Sequence, residues 1–68
     1  MKAITTRNIP CTFRNKPFVL VKGEMIDIIK GVHNIYEVLY KDHKVYIEDK
    51  DLIDAYRLYR KEFEHENK

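Results

Sequence analysis

Between residues 18 and 48 the chain runs through four stretches rich in β-branched and aromatic residues, separated by breaks of only two to four residues. Breaks that short between strand-length runs leave room for little except a compact, hairpin-built β-structure. Residues 18–22 read as a strand, Gly23-Glu24 as a tight turn, residues 25–30 as an isoleucine-rich second strand, and residues 31–34 as a loop. Residues 35–41 and 44–48 flank Asp42-His43, whose side chains tolerate positive φ, so the spacing predicts a tight hairpin there. Residues 2–6 supply a further edge strand. Pro10, Pro17, Gly23 and Gly31 are the only Pro and Gly, all before residue 32, and residues 7–16 read as a long irregular loop holding Cys11 and Phe13.

The pattern changes after Glu48. Leu52, Tyr56, Tyr59 and Phe63 recur at i, i+4, i+7 and i+11, the spacing of one helical face, with Ala55 in the same arc. Asp49 or Asp51 can cap the start of such a helix, and Asp51 and Asp54 suit the positive end of its dipole. The expectation is therefore a single domain over residues 1–68, with strands over 1–50 and an amphipathic C-terminal helix over 51–66 packed on them. Sixty-eight residues bury a small core, and 44% hydrophobic with 35% charged residues is the composition of an ordered globular chain.

Phe18-Val-Leu-Val-Lys-Gly-Glu-Met-Ile-Asp-Ile-Ile29 resembles the stretch of a Src-homology-3 domain that leaves its diverging turn with a lysine-glycine-acid step. Tyr36-Glu-Val-Leu-Tyr40 and Lys44-Val-Tyr-Ile47 resemble the two strands that follow, with the Asp42-His43 turn as their distal connection, and Leu52 falls at the family's last core apolar position. The resemblance covers residues 18–52 and implies a mainly β fold, a small five-stranded, strongly bent barrel. Its motifs are degenerate apolar patterns that speak to fold more than to function. Peptide-binding members carry a tryptophan where Ile35 stands and a proline and tyrosine where Glu48 and Asp51 stand. Recognition of proline-rich peptides in the usual groove is accordingly not expected.

Neither an acid–base pair nor a nucleophile with its base is recognisable among Cys11, His33, His43, His65 and the carboxylates, so the chain reads as non-enzymatic. Glu62 and His65 have an i, i+3 spacing that metal sites use, but two ligands near a helix end make no site; no metal or other cofactor is implied. One cysteine forms no internal disulfide, and no signal or membrane-length apolar run is present, which points to the cytoplasm and away from membranes. The net charge of +2 is unevenly placed. Residues 1–30 hold six Lys/Arg against two acids, and Arg7, Arg14, Lys16 and Lys22 are the candidates for a phosphate-contacting surface in a nucleic-acid-binding reading.

A protein partner is the leading expectation. If Ile26, Ile28, Val38, Val45 and Ile47 face inward, alternation sends Met25, Ile29, Leu39 and Tyr46 to the outer face, where so apolar a set needs cover. The stripe of Leu52, Tyr56, Tyr59 and Phe63 is the nearest cover, from the same chain or from a second copy in a homodimer. Short lysine-, isoleucine- and tyrosine-rich domains of this kind resemble accessory proteins of bacteria with AT-rich genomes and of their phages. That resemblance implies a small protein-binding or regulatory module acting on a host protein.

Overall fold

The computed structural model describes residues 1–59. They form seven strands, β1 (Lys2–Thr5), β2 (Ile9–Phe13), β3 (Lys16–Leu20), β4 (Met25–Val32), β5 (Ile35–Tyr40), β6 (His43–Glu48) and β7 (Tyr56–Leu58), with one short helix, α1 (Asp49–Leu52), before the last. All pairings are antiparallel, in the order β3-β2-β6-β5-β4-β1-β7. The mainly β expectation holds. The five-stranded barrel does not: this is one open seven-stranded sheet ending on β3 and β7.

The β4-β5-β6 meander follows the alternation read from the sequence. Ile26, Ile28, Val38, Val45 and Ile47 are all buried on its inner face, where Ile9, Leu20, Leu52 and Ala55 join them in one core. The hairpin lies one residue earlier than expected, because Tyr40 pairs with His43 and Lys41 and Asp42 make the turn at φ 50° and 66°. At the other end of β5, residues 31 and 32 belong to β4, which leaves a two-residue turn with His33 at φ 57°.

Three further expectations are corrected. Residues 7–16 are no loop: β2 and β3 pair from Ile9↔Leu20 to Phe13↔Lys16 across Arg14 and Asn15, both at positive φ. The residues flanking a two-residue turn form a narrow, hydrogen-bonded pair, so alternation puts Pro10 and Pro17 in wide pairs, where no donor is required toward the hairpin partner. Pro10 then has no N–H to give β6, in keeping with the meeting of β2 and β6 at the single pair Thr12↔Tyr46. Strand β1, expected at an edge, lies between β4 and β7.

The third correction concerns the C-terminal helix. Helical structure stops at Leu52; Asp54 turns the chain at φ 56°, and residues 56–58 continue as a strand beside β1. A lone helix of this length is marginal in water, whereas β1 offers an unpaired row of backbone groups that a strand satisfies at once. Residues 60–66 of the expected helix, Phe63 among them, lie outside the described residues.

Candidate protein-binding groove

Of the outer-face set from the sequence, Met25 and Leu39 share one groove, which Lys2, Asp27, Lys41 and Asp42 also line. Met25, Ile29 and Tyr46 are exposed and Leu39 is half-buried, and no helix among the described residues covers them. Leu39 stands between its pair partners Asp27 and Lys44, and Tyr46 between Glu37 and Thr12. These charges are themselves paired: Lys44 Nζ lies 3.8 Å from Glu37 Oε2, while Asp27 holds the Met1 amino group at 2.7 Å and Lys2 Nζ at 3.6 Å. A face laced with ion pairs is already compatible with water.

The basic candidates are also separated. Arg7 is engaged in structure, since its Nη2 donates to the carbonyls of Asp51 (3.3 Å) and Ile53 (3.1 Å), carbonyls that α1 is too short to satisfy itself. The backbone N–H of Lys22 donates to Oδ1 of Asn8, the residue after Arg7, at 2.9 Å. Arg14 and Lys16 sit at the opposite end of β3, at the hairpin tip, and Arg14 lies 5.1 Å above the Phe13 ring. There Phe13 meets His43 edge-on at 5.2 Å, Phe18 reaches Tyr40 at 6.1 Å, and Lys41 covers Tyr40 at 5.3 Å.

Elsewhere the fold assembles a groove of about 440 Å³ by setting Tyr36 of β5 against the continuous segment that runs from α1 into β7. Tyr36 of β5 and Tyr56 of β7, both half-buried, supply aromatic walls; Leu52, Ile53 and Leu58 add aliphatic surface, and Asp49 and Asp54 add carboxylates. Ile53, at 58% exposure, is the most exposed large apolar side chain among the described residues, and Leu58 is 49% exposed. Among the same residues neither Asp49 nor Asp54 enters an ion pair.

Each part of the groove has a local cause. Gly31 pairs with Tyr36, and a Cβ on Gly31 would lie 2.8 Å from Tyr36 Cε1, so the ring rests where only glycine leaves room. Asp49 is fixed at the head of α1 by its N–H, which donates to the Asn34 carbonyl at 2.8 Å. Buried Leu52 ties α1 to the core, and the Asp54 turn brings Tyr56 into line with β1.

Of the stripe read from sequence, Leu52 and Tyr56 line this groove; Tyr59, half-buried, follows β7 and donates its N–H to the Lys2 carbonyl at 3.0 Å. Tyr36, Asp49, Ile53, Asp54 and Leu58 were not anticipated there, and no local motif marks them. Cys11 packs into the core, and burial pushes its thiol up, against a weaker opposing hydrogen bond from the Leu20 backbone. His33 and His43 stand exposed at separate turns, and no cluster of three metal-binding side chains occurs among the described residues. No helix among them is long and apolar enough to cross a membrane. Comparison with protein-family models, with curated proteins and with solved structures finds no match to this chain.

Proposed function

We propose that this chain is a protein-binding module, and that a segment of its partner occupies the groove between α1 and β7. The carrying observation is the combination in one groove of two tyrosines, the most exposed aliphatic side chain of the described residues, and two carboxylates outside any ion pair among them. Amphipathic aromatics beside exposed aliphatic surface are what interface cores are made of. The groove differs from the outer sheet face in that no neighbour among the described residues neutralises its charges.

The stretch that resembles a Src-homology-3 domain supports a role as an interaction module. Residues 18–52 run from the end of β3 through the Gly23 turn, β4, β5, the Lys41-Asp42 turn and β6 to the buried Leu52. A regulatory protein of bacterial or phage origin acting on a host protein fits this reading, with the groove as the contact.

A second reading, nucleic-acid binding, draws on the hairpin-tip cluster in which Arg14 and Lys41 lie over aromatic rings. Site-specific photo-crosslinking in a bacterial lysate separates the two. A photoreactive residue at Ile53 or Leu58 is expected to yield nuclease-resistant protein adducts, and one at Val19 on the opposite edge strand is expected to yield none. Adducts found only from Arg14 and Lys16, and lost on nuclease treatment, would overturn the groove in favour of the second reading.

A further inference from the structure

The two edges of the sheet are built differently. Strand β3 begins with Lys16 and Pro17, residues that discourage another strand from pairing at that end. Strand β7, Tyr56-Arg57-Leu58, has no proline.

The phase of the β1–β7 ladder decides what β7 presents. The Thr6 N–H donates to the Ala55 carbonyl at 2.8 Å and the Tyr59 N–H to the Lys2 carbonyl at 3.0 Å. With the register Ala3↔Leu58, Ile4↔Arg57 and Thr5↔Tyr56, narrow pairs alternate with wide ones, and Tyr56 and Leu58 fall in wide pairs. Their N–H and C=O groups therefore point away from β1, toward the free side of the sheet, and no backbone group among the described residues bonds to them there. The residues that offer this unpaired backbone are the same two whose side chains line the groove.

We infer that the partner enters as a β-strand added to the edge of β7, and that this strand carries a lysine or arginine directed at Asp54 and Asp49. The inference rests on the groove reading and adds to it the conformation and the charge of the ligand. Main-chain bonds to Tyr56 and Leu58 supply register and affinity, as in strand addition generally, while the groove takes alternate side chains. The positive charge follows from complementarity, since the polar side-chain contribution to the lining comes from two carboxylates and two phenols.

The test titrates the isotopically labelled full chain with three short peptides alternating valine and threonine. One has a central lysine, one a central glutamate, and the third is the lysine peptide N-methylated on alternate amides. The lysine peptide is expected to move the Tyr56 and Leu58 amide signals and to slow their hydrogen exchange. Glutamate, or N-methylation, is expected to weaken binding by about tenfold or more, and Asp54→Lys to reverse the preference between lysine and glutamate. A lysine peptide that moves Tyr36 and Leu52 but leaves exchange at Tyr56 and Leu58 unchanged, or that binds equally well when N-methylated, overturns strand addition and leaves the groove reading standing. Absence of shifts at every groove residue also overturns strand addition, and the groove reading then depends on the Ile53 and Leu58 crosslinks alone.

Discussion

The hydroxyl of Thr5 donates to the carbonyl of Val21 at 2.8 Å and accepts the N–H of Glu24 at 2.9 Å, and this is how β1 holds the turn that leads into β4. The backbone of the same residue adds two more bonds, from its N–H to the Glu24 carbonyl and from the Gly23 N–H to its own carbonyl, each 2.9 Å. Thr5 is 2% exposed, so water does not readily replace these partners. Thr5→Val keeps the shape and removes the hydroxyl, stranding a carbonyl and an N–H. The expected loss is about 1–3 kcal/mol, read from the midpoint of urea unfolding. A midpoint equal to that of the parent chain would show the hydroxyl to be dispensable.

Ile28 and Val38 form a directly opposed pair in the buried centre of the meander. Ile28→Val removes one methylene and is expected to cost about 0.5–1.5 kcal/mol, and Ile28→Ala about 2–5 kcal/mol. In a chain this small the second change brings the native state close to unfolding at room temperature. Thermal melts followed by circular dichroism test the series; equal melting points for the two variants would contradict the central position of Ile28.

Gly31 is expected to show its role only through Tyr36. A methyl at position 31 meets the ring at 2.8 Å, so Gly31→Ala must displace it and with it one wall of the groove. The measurement is a double-mutant cycle: the cost of Gly31→Ala is expected to shrink by about 0.5–3 kcal/mol when Tyr36 is already alanine. An unchanged cost in both backgrounds would place the strain elsewhere.

Acid is expected to act through Asp27. Its carboxyl accepts a hydrogen bond from the Met1 amino group, and that bond, helped by the positive charges of the amino group and of Lys2, holds it below the usual carboxylate range. A carboxylate with a depressed folded pKa lends stability that is fully present above its unfolded pKa of about 3.9 and is lost as pH falls through the folded value. Asp27→Asn removes this contribution, so parent and variant are expected to converge in stability as the pH drops below about 4 and to differ above it. A difference that persists unchanged into strong acid would exclude the ion pair as its source.

The strands legible in the sequence are those whose faces alternate cleanly. Ile26 and Ile28, then Val38, then Val45 and Ile47 mark β4, β5 and β6 because one face of each is buried while the other meets water. The β2–β3 hairpin was hidden by two prolines that read as breakers and by a turn, Arg14-Asn15, without glycine; both prolines occupy wide pairs, where the ladder tolerates them. Strand β7 was hidden by an ambiguity of period. Tyr56 and Tyr59 fit a helical stripe, Tyr56 and Leu58 fit a strand, and the choice was made by the open flank of β1, which no local pattern reveals. The groove was invisible for the same reason, since Tyr36 meets Asp49 and Leu58 only after β5 has packed against the segment from α1 to β7.

The pairing of the first strand with the last also governs how the chain reaches its native state. The hairpins across Arg14-Asn15, His33-Asn34 and Lys41-Asp42 each close over two residues and form early, in microseconds. The β1–β7 ladder must instead join segments from opposite ends of the described chain, and the entropy of that closure is recovered only by the contacts it makes. The order of events is therefore expected to run from the meander outward, with the β1–β7 ladder among the last pairings to form. A strand added to β7, as proposed above, would then stabilise the pairing whose closure costs the most entropy.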